Sequence, residues 1–323
     1  MNKTTRIVLL TLIAGYFTAA VAQQYTLRGV VHLLNSETFS GKRQYVKGAE
    51  IWGDKSTVGT SDDLGKFGIT FSGVEGNKRV KISVLKEGYE VSDASDLFPI
   101  INQAEPIAVF MEKTTVLRRR IDTMVANSYA AAKRNHLLEL QRLRAQGKSA
   151  EAAEKAYREL RNRIPGMVKD LVYVNLDDAN RFYKKAYRQF SEGDLEGAQK
   201  TLGDAKIDEK VRIAKKQKTA GEALTADAKK ALAEYVNMYV LDGNVYTLKL
   251  QFEQALAVYQ KADSITDRAE NPRKWAEVKL LKGNTHANLG IRVEGAASRH
   301  LTAAVAACRR ALEVFTRDRK SVV

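Results

Sequence analysis

Gly147, Lys148 and Ser149 stand together as they do at the end of a phosphate-binding loop. That chemistry needs another glycine five positions upstream, where backbone amides can cradle phosphate, and Arg142 stands there instead. The segment before it also reads as a helix rather than a strand, so the phosphate loop is rejected. No Gly-x-Ser-x-Gly elbow occurs, and no two histidines are four residues apart as in a helical zinc motif. His32, His136, His286 and His300 are scattered, and a lone histidine is usually a surface or satisfied core residue. Only His286 and His300 could meet, across the last helical pair. Cys308 is the sole cysteine and cannot form an internal disulfide; its place between Ala304 and Ala311 is that of a small packing residue. Asp62 and Asp63 invite a calcium reading, but a hard cation takes about six or more oxygens and no further carboxylate lies close in sequence, so a turn ending at Gly65 is favoured. No catalytic, cofactor or metal site is expected, and the chain is not expected to be an enzyme.

The elements that must position any other site belong to a chain of 323 residues, 44% hydrophobic, long enough for two cores. Lys3 and Arg6 precede an apolar run from Ile7 to Ala22 that closes in Ala20-Val21-Ala22, the pattern of a cleaved secretory signal. Its apolar stretch is about 15 residues against the roughly 20 of a spanning helix. No cysteine follows for lipid attachment, so the mature chain is expected to start near Gln23, exported, periplasmic or outer-membrane-associated, and not membrane-spanning. The formal net charge of +15 falls to +13 without Lys3 and Arg6. Such a surplus speeds encounter with acidic proteins, anionic glycans, lipid headgroups or nucleic acid, and it also serves simply to solvate helix faces.

From Tyr25 to Lys113 the pattern is period two. Strands are expected within Thr26 to Leu34, Val46 to Trp52, Lys66 to Phe71 and Arg79 to Leu85, about seven in all, with Val80, Ile82 and Val84 facing a core and Lys81 and Ser83 facing water. Gly29-Val30-Val31, Val46-Lys47-Gly48-Ala49-Glu50-Ile51, the run from Gly59 to Phe67, and Val80 to Tyr89 with Lys86-Glu87-Gly88-Tyr89 resemble the carboxypeptidase regulatory-like domain over about 85 residues. The resemblance implies a transthyretin-like β-sandwich, a non-catalytic accessory module common at the start of exported envelope proteins of Bacteroidetes-type bacteria. The connection from Asn35 to Tyr45 is longer than in that family, which predicts a bigger surface loop and a place for contacts.

After Lys113 the spacing becomes helical. Leu117, Ile121 and Met124, then Leu137, Leu140 and Leu143, mark a helix ending before Gly147; Ser149 can cap the next, which Ile164-Pro165-Gly166 should stop. Between Arg118 and Arg163 lie 12 Lys or Arg and 5 Asp or Glu, so residues 114–175 read as a basic hairpin with Arg118, Arg119, Arg120, Arg142 and Arg144 as its patch. Only Tyr129 and Tyr157 interleave with these cations and no DNA-reading motif is present, which argues against nucleic acid and for a solvated face. A helical pair is expected over Leu176 to Ser191 and Leu195 to about Ala205, with Gly193 relaxing the turn and Asp194 capping the second helix. Lys206 to Gly221 reads as a basic connection. Thr225 starts a long helix whose stripe of Leu232, Tyr235, Tyr239 and Tyr246 is taken as core.

Phe182, Ala186, Gly193, Leu195, Ala198 and Leu202, then Gly243, Tyr246, Phe252, Ala255, Tyr259 and Ala262, and finally Gly283, His286, Gly290, Ala304, Cys308 and Ala311 resemble the tetratricopeptide repeat (TPR). Leu250 stands where that family usually turns on Gly, Lys185 and Gln189 depart from its consensus, and Ile291 to Leu301 enlarges the last loop. The implied architecture is an α+β multidomain chain: signal peptide 1–22, β-sandwich 23–113, basic helical hairpin 114–175 and irregular TPR-like helical repeats over 176–323. Stacked repeats make an all-α solenoid with a concave surface for a protein or peptide segment. The expected function is a non-catalytic exported scaffold or adaptor that binds another envelope protein, with Tyr239, Tyr246, Lys249 and Arg273 as contact residues. The alternatives are a binder of anionic polymer, envelope glycan or lipid through the basic patches, with Lys210 to Lys218 as a second patch, and an enzyme whose site is assembled from distant residues.

Overall fold

The computed structural model describes residues 24–53, 58–72, 78–92, 99–101, 105–217, 224–292 and 296–320. The signal segment 1–22 and the end of the Lys210 to Lys218 stretch lie outside them. The chain forms two compact units: a strand-rich one, extending to Leu33 and resuming over Arg43–Met111, and a helical one made of Leu34–Lys42 together with everything from Glu112 onward.

In the strand-rich unit, β1 (Gln24–Leu33), β2 (Glu50–Gly53), β3 (Val58–Thr60), β4 (Lys66–Ser72), β5 (Ile82–Leu85), β6 (Tyr89–Val91) and β7 (Ile107–Lys113) form two sheets, ordered β4-β1-β7-β6 and β3-β2-β5. β1 runs antiparallel to β4 and parallel to β7, while β2 is antiparallel to both its neighbours. Side chains alternate across each strand, so Phe67, Ile69 and Phe71 of β4 are buried between exposed residues. They share one core with Leu27, Val31, Val109 and Met111 of the same sheet and Ile51, Ile82 and Val84 of the other. Val80, Ile82 and Val84 are buried as their spacing demands; Lys81 and Ser83 are half-buried rather than exposed. The turn at Asp62 is closed by its own Oδ1, which accepts the Leu64 and Lys66 amide protons at 2.9 and 2.8 Å, and Gly65 follows at φ +70°. A Cβ at Gly65 would lie 2.3 Å from the Val31 carbonyl oxygen, so glycine is required twice over.

The helical unit contains α1 (Ser36–Ser40), α2 (Thr114–Ala145), α3 (Glu151–Val172), α4 (Arg181–Ser191), α5 (Leu195–Asp204), α6 (Ile207–Lys216), α7 (Ala226–Leu248), α8 (Phe252–Ile265), α9 (Pro272–Arg292) and α10 (Ala297–Lys320). Helices α2 and α3 pack as the expected hairpin, and α4 with α5, α7 with α8, and α9 with α10 form three further pairs. Caps fall where the polar residues suggested: Asp194 accepts from the Gly197 amide and Thr225 from the Ala228 amide. Small residues let the pairs approach closely. A Cβ on Gly243 would stand 2.3 Å from Tyr259 Cε1, and one on Gly283 would stand 2.7 Å from Cys308 Sγ. Among the described residues no helix is long and apolar enough to cross a membrane.

Five local expectations are corrected. Pro165 lies inside α3 instead of ending it, at the loss of a bond to the Arg161 carbonyl, a penalty of about 3 kcal/mol. Ile164, Met167, Val168 and Leu171 are buried on that turn, and at about 1.5–3 kcal/mol for each they outweigh it. The segment after Lys206 is not a bare connection: Lys206 turns at φ +49° and α6 follows, burying Ile207, Val211 and Ala214 at helical spacing. The expected helix from Leu176 begins only at Arg181, because Asn180 caps it by accepting from the Phe182 and Tyr183 amides. Of the stretch expected as an enlarged loop, Ile291 and Arg292 belong to α9 and Ala297 to Leu301 belong to α10; residues 293–295 lie outside the described set. Ser149 does not sit at the cap position of α3, which is Ala150, though its Oγ accepts the Glu151 amide proton at 3.3 Å.

Candidate functional site

The longer connection after β1 is not a free surface loop. Asn35 turns the chain at φ +59°, a left-handed conformation that Asn tolerates better than most residues, and it is fully buried. Its Nδ2 donates to the Val174 carbonyl at 3.0 Å and its Oδ1 accepts the Leu176 amide proton at 2.5 Å. Asp177 then holds the first turn of α1, its two carboxylate oxygens accepting from the Glu37 and Thr38 amides at 3.2 and 2.7 Å. These four bonds satisfy backbone groups across about 140 positions of sequence.

Held in this way, α1 forms one wall of a cavity of about 350 Å³ against α2 and α4. Phe39, Val116, Met124, Leu176 and Tyr187 supply apolar surface, while Arg119, Arg120, Lys184, Arg188 and Glu192 bring four cations and one anion. Arg120 is mostly buried and binds Glu112 through Nη2 at 3.2 Å, and its guanidinium lies 4.7 Å from the Phe39 ring centre. Its Nη1 is buried with no hydrogen-bond partner, and so is Thr38 Oγ1. Both residues line the cavity, but neither atom shows accessible surface, so either gains a partner only when a neighbour such as the Phe39 ring over the guanidinium moves aside. Elsewhere the wall is satisfied: Lys184 Nζ donates to the Asp177 carbonyl at 3.0 Å, and Asn127 Nδ2 to the Ser191 carbonyl at 2.7 Å. The Tyr187 hydroxyl reaches Met124 Sδ at 3.6 Å, and burial pushes its pKa up to about 12, so it stays neutral. What this arrangement can do chemically is hold an anion beside an apolar group.

The residues singled out in the sequence fall elsewhere or apart. Tyr239 is buried and its hydroxyl donates to Asp208, so it is a packing residue and lacks the exposure a contact role requires. Lys249 is only 11% exposed in its side chain, with Nζ on Glu196 at 2.8 Å and Gln199 at 2.7 Å. Tyr246 is half-buried against the main core and Arg273 is half-buried on α9; none of the four lines the cavity. The basic patch divides: Arg118, Arg119 and Arg120 occupy the start of α2, Arg142 and Arg144 its last turn, roughly 35 Å apart at 1.5 Å per residue. Arg118, Arg119, Arg142 and Arg144 are exposed, and of the five only Arg119 and Arg120 reach the cavity. Thr38, Phe39, Lys184, Tyr187 and Arg188 were not anticipated, although the unusual length of the Asn35 to Tyr45 connection pointed at the first two.

His286 and His300 do meet, with Nδ1 atoms 3.0 Å apart. Buried His136 stacks on Tyr157 with ring centres 4.2 Å apart, the packed setting of a core histidine, and half-buried His32 lies between Tyr45 and Phe110. Cys308 is half-buried against Gly283. Among the described residues no three His, Cys, Asp or Glu side chains gather as a metal site would require. No family model matches the chain, and neither a curated protein nor a solved structure matches it.

Proposed function

We propose that the chain is an exported, non-catalytic adaptor that holds a segment of another envelope protein on its helical unit. The observation that carries this reading is the cation-rimmed apolar cavity between α1, α2 and α4, with two buried polar atoms unpartnered in its wall. Apolar floor, polar rim and unfilled hydrogen-bonding capacity are the makings of a recognition site. Export is supported by Lys3, Arg6 and the apolar run that ends at Ala22.

The helical unit is proposed to be a TPR-like array. Short-turn helix pairs, close contacts at Gly243 and Gly283, and one core running from α2 to α9 support that reading. The strand-rich unit is proposed to be a carboxypeptidase regulatory-like sandwich, on the support of two sheets that share one core. The docking surface assigned here replaces the Tyr239 and Lys249 face. Chemical crosslinking in intact cells, read by mass spectrometry, tests the proposal: a defined envelope partner linked to lysines of the helical unit is expected, and recovery of the chain linked only to itself or to cytoplasmic proteins would overturn it.

A further inference from the structure

We infer that the cavity accepts an acidic stretch of a partner protein in which a carboxylate side chain stands next to an apolar one. The inference rests on the adaptor reading and adds the chemistry of the segment. Once the exposed Phe39 ring moves off the guanidinium, the carboxylate meets Arg120 Nη1 and the Thr38 hydroxyl, both closed off until then; the apolar side chain lies on Met124, Leu176 and Tyr187.

The chemistry of the two unpartnered atoms selects the ligand. A guanidinium nitrogen can only donate, so the group that completes Arg120 must be an acceptor, and a threonine hydroxyl is also satisfied by an acceptor. Glu112 already claims Nη2 of Arg120, leaving Nη1 as the unpartnered, buried side of the fork. Charge around the opening points the same way: exposed Arg119 and Arg188 outweigh Glu192, so an anion is drawn in and a cation repelled. Phe39 is 57% exposed with its ring on the Arg120 guanidinium, so an incoming side chain displaces solvent and an aromatic ring rather than packed core. Size decides between a side-chain pair and a larger amphiphile. At about 350 Å³ the cavity stands at the small end of the roughly 300–1,000 Å³ typical of ligand pockets, which suits two adjacent side chains better than an extended acyl chain.

Fluorescence anisotropy with the full-length mature chain tests this. The probes are two labelled hexapeptides blocked at both ends, one with Phe between two Asp, the other with Asn in place of each Asp. The Asp peptide is expected to bind at least about tenfold more tightly, the discrimination that a charge-assisted hydrogen bond supplies, and to weaken with added salt. Arg119→Glu with Arg188→Glu, both exposed, should cost the Asp peptide about tenfold and flatten its salt dependence. Because Arg120→Gln alone strands the buried Glu112 carboxylate, the paired variant Glu112→Gln/Arg120→Gln is used; it should bring the Asp peptide down to the Asn peptide's affinity. Equal affinities of the two peptides, or indifference to both variants, overturns the inference, as does binding of dodecyl sulfate in the cavity when neither peptide binds. A photo-crosslinking residue at exposed Thr123 separates this outcome from that of the adaptor reading. Capture of a partner segment without Asp or Glu overturns the acidic preference and leaves the adaptor standing, whereas peptide discrimination as expected with no partner captured in cells overturns the adaptor and leaves the site's chemistry standing.

Discussion

Asp177 grips the backbone of Thr38: its Oδ1 accepts the Thr38 amide proton at 2.7 Å while Oδ2 takes that of Glu37. The carboxylate is almost fully buried, so the bonds are made in place of water rather than in competition with it. Asp177→Ala removes the carboxylate acceptor of both amides and should cost about 1–3 kcal/mol. Hydrogen exchange is the direct check. Amides 37 and 38 should lose protection selectively, and equal protection in the variant would show that α1 is held by other means.

Leu250 has φ +60° in the turn between α7 and α8, where an unbranched exposed residue would be replaced by glycine without loss. The left-handed conformation costs a leucine about 1–2 kcal/mol, and burial of its side chain returns about 1.5–3 kcal/mol. The two terms nearly balance, which is why a leucine persists at a glycine position. Leu250→Ala loses the burial and keeps the strain, while Leu250→Gly loses both. The expected order of melting temperature is wild type, then the glycine variant, then the alanine variant. Alanine above glycine would show that the turn carries no strain.

Gly243 faces the ring of Tyr259, and an added Cβ would fall 2.3 Å from it. Helix propensity alone favours alanine over glycine by about 1 kcal/mol, but overpacking against a fully buried tyrosine opposes it by about 1–3 kcal/mol. Tyr259 cannot move freely, since its hydroxyl donates to Asn244 Oδ1 at 2.6 Å. Gly243→Ala should therefore lower the denaturant midpoint. Gly203→Ala, at a helical site with open space around the new Cβ, should raise it slightly. The same sign for both would refute the packing argument.

Two titrations, at the mostly buried Asp242 and the half-buried His286, give stability opposite slopes with pH. Burial pushes the Asp242 carboxyl up to about 6, with Lys261 opposing the rise and Asp208 adding to it. Its folded state favours the proton, so the stabilising contribution is full below about 3.8 and is lost as pH rises through about 6. Asp242→Asn should raise stability by about 1–3 kcal/mol at pH 7.5, and the difference should vanish near pH 4. A constant difference at both pH values would mean that the substitution acts through packing alone.

His286 runs the other way. Burial lowers its pKa, and His300, Lys282 and Arg299 lower it further, so its contribution is present above about 6.5 and is lost as pH falls through the folded value. The 3.0 Å contact with His300 requires a donor on one ring and an acceptor on the other, so double protonation breaks it. His286→Gln should melt with a smaller drop between pH 7.5 and 5 than wild type. An unchanged drop would assign the acid sensitivity to other groups.

The strands and most helix ends were legible because their signals are local. Alternation at Phe67, Ile69 and Phe71, the Asp62 turn, the Asp194 and Thr225 caps and the glycine contacts all depend on residues within a few positions or on one helix face. Pro165 misled because its penalty is local while the compensating burial comes from other helices. The apolar spacing of Ile207, Val211 and Ala214 in α6 was readable but lay under a dense run of lysines. The cavity was the least legible part. Arg119 and Arg120 were marked for charge alone, and Thr38 and Phe39 reach them only through bonds between Asn35, Val174, Leu176 and Asp177 that no sequence spacing announces.

The excursion Leu34–Lys42 also bears on how this gene can be divided. A chain cut at residue 113 discards the partners of the Val174 carbonyl, the Leu176 amide and the Asp177 carboxylate, and it takes Phe39 from the cavity. No single crossover separates the two units, so recombination that shuffles them as modules would deliver a helical half missing one wall of its cavity. Fragments meant to report on partner capture must carry the first third of the coding sequence, or a grafted copy of residues 34–42.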